Sequence, residues 1–325
     1  MSASAKPNEL RLTRLLDAPV EAVWRAWTDP EQVAQWWGPR GFTLTTHSKD
    51  FRVGGHWHYT MHGPDGTDYP NRTIYHEVEE FRRLVYDHGG HDDRPPLFRV
   101  TVVFEDLGEQ TRMEMTMAFT SPEEAKRSAK FIKEAGGHST WDRLAEYLAK
   151  KRTNADIFVI SRSFPAPIET LFDMWVDPRH FSQWLGPVDT RMEFIQQEIA
   201  EGKTTFFKMT YGSGLAMYGK MHYLKIERPE LLEYTQVFCD EEGNLSRHPN
   251  VPVWPEQMHT RVLLAPEAPG PAGEPWTRVT VTWQPSGNVS VAERQAFVDM
   301  RAGMTQGWTQ SFDKLEAYAP AAARQ

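Results

Sequence analysis

The chain has 325 residues, 40% of them hydrophobic and 25% charged, and its 36 Lys and Arg against 44 Asp and Glu leave a net charge of −8. An isoelectric point near 5.9 with no Lys/Arg block excludes a nucleic-acid footprint, which needs a basic face to displace phosphate counterions. No stretch reaches the roughly 18–20 apolar residues of a membrane span, and Met1 to Leu10 lack the apolar centre of a signal peptide, so a cytoplasmic location is expected.

Taken in chain order, Leu10 to Leu16 alternate as a strand does, and after Pro19 the residues Val20, Val23, Trp24 and Trp27 form the apolar stripe of an amphipathic helix. Asp29-Pro30 then supplies an N-cap and a proline at the first helical position for a short helix carrying Val33, Trp36 and Trp37, which Gly38-Pro39 ends. From residue 42 to 119 the period switches to two, with turn signals at Gly54-Gly55, Gly63-Pro64-Asp65-Gly66, Gly89-Gly90 and Gly108, which predicts a meander of five or six antiparallel strands. Trp57, Tyr59 and Met61 share one face of a strand there, and His56, His58 and His62 the other. Ser121 to Glu124 is a capping box that opens a helix of about 28 residues.

An offset of 148 residues repeats this order, with eleven identities between Arg14–Pro39 and Arg162–Pro187, among them Trp27/Trp175, Asp29/Asp177, Trp36/Trp184 and Gly38/Gly186. The offset grows to 171 at Asp142/Asp313 and Leu144/Leu315. Most of the added residues fall in a proline-rich insertion around 239–276, which reads as loop. Two domains follow, residues 8–150 and 156–320, and Ser290 to Glu293 opens the second long helix. Gly136-Gly137 interrupt the first long helix, and Gly303 and Gly307 the second. Glycine costs roughly 1 kcal/mol in a helix, so a close approach or a hollow beneath is expected.

Eight of the 12 histidines lie in the first copy, yet His56 and His58 align with Thr204 and Phe206 and no helical His pair or cysteine joins them, so no metal site and no cofactor are assigned. Cys239 alone permits neither an internal disulfide nor a thiolate metal site. Asp29/Asp177 and Glu21/Glu169 are explained by helix starts, and Asp142/Asp313 by pairing with a surface cation. No nucleophile elbow, phosphate loop or dinucleotide fingerprint occurs, and no catalytic residue is assigned.

The 12 Trp, 10 Tyr and 17 Phe are the remaining signal, in a chain whose mean hydropathy is −0.58. The order of elements, with Asp29-Pro30, Trp36-Trp37-Gly38-Pro39, Asp50-Phe51-Arg52-Val53-Gly54-Gly55-His56-Trp57, Gly307-Trp308 and Asp313-Lys314-Leu315, resembles the helix-grip fold. More narrowly, it resembles the branch of the START/polyketide-cyclase superfamily (SRPBCC) named after the activator of the heat-shock-protein-ninety ATPase. The resemblance implies an α+β chain of two tandem helix-grip domains. In each, a curved antiparallel sheet wraps one long C-terminal helix, around a cavity that in relatives holds lipids, sterols or polyketides.

Read onto this sequence, the candidate ligand-binding residues are Trp36, Trp57, Tyr59, Met61, Gly137, His138 and Trp141 in the first copy. Those of the second are Trp184, Phe207, Met209, Trp308 and Phe312. Gly137 lies four residues before Trp141, where the second copy has Trp308 before Phe312, so the first cavity is expected to be the more open and Trp308 to plug the second. The expected function is that of a carrier or stress-related sensor of a small, mostly apolar molecule. The alternatives are a co-chaperone-like partner of a chaperone ATPase and a cyclase- or hydrolase-type enzyme with His138 and Tyr59 as polar pocket members; a binding protein is expected ahead of an enzyme.

Overall fold

Asp29 divides the first two helices: its carboxylate accepts from the backbone N–H groups of Glu31 and Gln32 at 2.9 and 3.1 Å, while Pro30 needs no such partner. In the computed structural model, which describes residues 6–89, 95–134, 139–267, 269 and 273–322, this cap separates α1 (Val20–Thr28) from α2 (Pro30–Trp36). Residues 1–155 and 156–325 form two compact units.

In the first unit β1 (Glu9–Leu16) precedes the two helices, and β2 (Thr43–Lys49), β3 (His56–His62), β4 (Asp68–Glu79), β5 (Arg83–His88), β6 (Phe98–Asp106) and β7 (Thr111–Ala118) follow them. These six strands form the meander, and β1 pairs with β7 to complete an antiparallel sheet of order β1-β7-β6-β5-β4-β3-β2. Trp57 and Tyr59 are buried on the inner face of β3, as alternation requires. The chain then forms α3 (Pro122–Glu134) and α4 (Ser139–Thr153).

The second unit repeats the plan with β8 (Phe158–Phe164), α5 (Ile168–Val176), α6 (Pro178–Trp184), β9 (Thr190–Gln196), β10 (Thr204–Tyr211), β11 (Ala216–Glu227), β12 (Leu231–Cys239), β13 (Gln257–Pro266) and β14 (Thr277–Ser286). Its sheet order, β8-β14-β13-β12-β11-β10-β9, is that of the first. The chain is α+β, two tandem helix-grip domains, each with its own apolar core.

Two expectations change. The insertion is not loop throughout: Met258, Thr260, Val262 and Leu264 are buried at every second position, and this period makes residues 257–266 a central strand despite the prolines around them. Nor is the closing helix of the second unit continuous. Ser290 and Glu293 form the full capping box of α7 (Val291–Asp299), and the chain leaves helical register at Met300 (φ −81°, ψ 0°) before α8 (Arg301–Ala322). In the first unit Ser121 Oγ accepts from Glu124 N at 3.2 Å, but the Glu124 carboxylate takes the Thr120 hydroxyl, so only half of the box forms.

Candidate functional site

Equivalent bonds recur inside each unit. Trp36 Nε1 donates to the Ala26 carbonyl and Trp184 Nε1 to the Met174 carbonyl, both at 2.9 Å. Thr111 and Thr277 each donate at 2.8 Å to the residue that follows the first strand by two, Ala18 and Ala166. Both indole N–H groups are therefore consumed inside the core, where Trp36 and Trp184 are fully buried. Phe312 is equally buried, packed edge-on against Phe164.

Among the described residues of the first unit, rings pack against one another across the interior. Trp27 lies 5.4 Å from Trp36 and 5.5 Å from Trp37 and stacks on Trp141 at 5.6 Å, while Trp37 meets Trp57, which stacks on Tyr59 at 4.0 Å. The space left among Trp27, Trp37, Phe51, Trp57 and the tyrosines is about 10 Å³, room for no more than one water molecule. Burial raises the Tyr59 phenol well above its usual range, and its hydroxyl is 3.5 Å from His88 Nδ1, a histidine that burial lowers to about 4. Met61 is half-buried beside Gly38. Gly137 and His138 lie outside the described residues.

The second unit holds a cavity of about 260 Å³, where a plug was expected. Trp37 of the first unit aligns with Leu185, which lines this cavity, so one indole is missing from its wall. Trp308 does not plug the gap, because its ring stacks on Trp175 at 6.0 Å and meets Trp283 edge-on at 5.5 Å, making it a wall. Gly303 and Gly307, one turn apart on α8, border the cavity, so the hollow expected beneath those glycines is there. Of the other candidates Phe207 and Met209 line it. The Phe207 ring lies across Gly219 of the next strand, where a Cβ would come within 2.5 Å of its tip.

Two further sets of lining residues escape a reading of the sequence. Met209, Met217, Met221, Met258, Met300 and Met304 contribute six of the 13 methionines of the chain to this one wall. Flexible thioethers adapt to varied apolar shapes, and methionine enrichment was the available signal. The insertion adds His248, Trp254 and Glu256. Arg247 fastens that loop to the start of α7, pairing with Glu256 at 2.8 Å and with Glu293 at 2.7 Å. The Ser290 N–H, aided by Arg247, lowers the Glu293 carboxyl to about 2.

On the outer face of the first sheet, His56 shares a hydrogen bond with Ser48 (3.0 Å), His47 with Thr60 (2.9 Å) and His62 with Asp68 (2.6 Å). Among the described residues no group of three or more His, Cys, Asp or Glu is arranged to hold a metal. Asp313 pairs with Arg162 at 2.6 Å, whereas Asp142 is buried, not at the surface. No helix among the described residues is long and apolar enough to cross a membrane.

The family model described as Activator of Hsp90 ATPase homolog 1-like protein matches the chain twice, over residues 17–149 and 165–319. No curated protein matches it. Among solved structures, a protein of Nitrosomonas europaea is 24% identical and covers 46% of this chain and 98% of its own, with a TM-score of 0.42. A protein of Arthrobacter aurescens is 28% identical over 46% and 91%, with the same TM-score of 0.42. The di-domain ARO/CYC protein BexL is 12% identical over 96% and 98%, with a TM-score of 0.38.

Proposed function

The chain belongs to the Activator of Hsp90 ATPase homolog 1-like protein family, and from that premise we propose that its second domain binds a small, mostly apolar molecule, as a carrier or sensor does. One observation carries the reading, the cavity of about 260 Å³ between the second sheet and α8. That volume approaches the lower end of the roughly 300–1,000 Å³ of small-molecule clefts. Its walls are methionine and aromatic side chains, with a few polar groups that could fix an orientation.

The pattern favours binding in the second domain over the first, whose space among Trp27, Trp37 and Trp57 is about 10 Å³. Native mass spectrometry of the full chain, before and after solvent extraction, tests the reading. An added mass that extraction removes, and that Gly303→Leu never carries, is expected. A chain that is consistently without added mass and takes up no apolar compound from lipid and metabolite extracts would overturn it. Gly303 suits this purpose because a Cβ there meets only Met300 Cε, at 3.7 Å, so a longer side chain can extend into the cavity without disturbing α8.

A further inference from the structure

The polar groups around the second cavity differ in what is left for a ligand. Ser311 is used up, its hydroxyl donating to Gly307 O at 2.9 Å and accepting from Gly186 N at 3.1 Å. Glu256 is committed to Arg247. Among the groups that remain are the buried Trp283 indole N–H, the Tyr211 hydroxyl, Gln236 and His248: all line the cavity, and among the described residues no protein group hydrogen-bonds the Gln236 amide or His248 Nε2.

The local sequence sets the state of His248. Ser246 N bonds to Phe238 O at 3.0 Å, bringing the loop back over β12. Pro249 disfavours helical backbone at the preceding histidine, and the chain then turns so that the N–H groups of Asn250 and Val251 both reach Nδ1 at 3.1 Å. An Nδ1 that faces two donors is an acceptor, so the neutral ring carries its proton on Nε2. The imidazole meets Phe238 edge-on at 4.8 Å and lies 6.2 Å from Trp254, which fixes its plane. Burial lowers its pKa, in keeping with a neutral ring.

Resting on the reading of the cavity as a ligand site, we infer that His248 is its polar anchor, donating from Nε2 to a neutral carbonyl-type oxygen on an otherwise apolar ligand. A neutral acceptor fits better than an anion, because the Glu256 carboxylate borders the cavity and the Arg247 guanidinium is already shared by two carboxylates. Gln236 stands two residues from Phe238 on the same face of β12 and offers a second polar contact beside the first. The first domain lacks the insertion and therefore the anchor.

Methyl naphthyl ketone and isopropenylnaphthalene share a shape and differ in an oxygen replaced by a methylene, so their ratio of Kd isolates the acceptor. Equilibrium dialysis with the full chain should show that ratio shifting at least about fivefold against the ketone in His248→Phe, the loss of one hydrogen bond, with the hydrocarbon held within about twofold. In the wild-type chain the imidazole Nε2–H resonance should move with the ketone and stay in place with the hydrocarbon, a reading that needs no variant. Both probes binding with an unchanged ratio in His248→Phe, or with an unmoved Nε2–H resonance, would overturn the anchor alone. Neither probe binding the wild-type chain would overturn the cavity reading and the anchor with it.

Discussion

Trp308 stacks on Trp175 with ring centroids 6.0 Å apart and planes 25° apart, and in the first domain Trp141 stacks on Trp27 at 5.6 Å and 15°. The two partners on the closing helices are not at aligned positions: Trp141 aligns with Phe312, one turn beyond Trp308. Each domain thus supplies an indole to the same helix-borne tryptophan from a different turn. Trp308→Ala removes the stack and the edge contact with Trp283, and should cost the second domain about 3–5 kcal/mol, as for other buried tryptophans. Denaturant unfolding followed in the second domain measures it; a change below about 1 kcal/mol would mean that the ring is dispensable there.

Leu185 and Trp37 stand at the same point of the fold with the same backbone, φ −68°, ψ 133° and φ −65°, ψ 134°. A tryptophan at 185 can therefore leave the chain in the direction that Trp37 takes. Leu185→Trp should fill much of the cavity and weaken binding of apolar probes at least about tenfold, with stability changed by less than about 2 kcal/mol because a void is being filled. Probe titration and thermal melting together check it; unaltered affinity would show that this position does not set the cavity.

Glu293 is an acid whose folded pKa, about 2, lies below its ordinary 4.5, chiefly through the Ser290 N–H and then Arg247. A lowered acid stabilises the folded state above its unfolded pKa and loses that contribution as pH falls toward the folded one. Glu293→Gln should lower the melting temperature of the second domain at pH 7. The gap from wild type should narrow between about pH 4.5 and pH 2, where the wild-type carboxyl is itself protonated. A gap that stays constant over that window would argue against the carboxylate as its source.

Much of the architecture was legible because it is written locally. Asp29 and Asp177 cap, alternation marks strands, and Trp36 and Trp184 recur at one offset because each must reach a carbonyl ten residues back. The location of the cavity was not. The comparison of Gly137 with Trp308 assumed that a ring on the helix points across the hollow, whereas Trp308 turns aside onto Trp175. The substitution Trp37/Leu185 was present in the same alignment, but its weight depends on which side chains converge in space. His248 and Trp254 were hidden for a related reason: a run of prolines signals loop, and nothing within it signals that the loop folds back over a sheet.

The central claim is that the second domain, through its methionine- and aromatic-lined cavity, is where a small apolar molecule binds. Methionine methyl NMR of the full chain titrated with methyl naphthyl ketone tests it most directly, because six methionines border the cavity, whereas Met113 and Met115 are buried in the core of the first domain. Shifts confined to Met209, Met217, Met221, Met258, Met300 and Met304, and lost in Gly303→Leu, are the predicted result. Shifts centred on Met113 and Met115, or none at saturating probe, would contradict it.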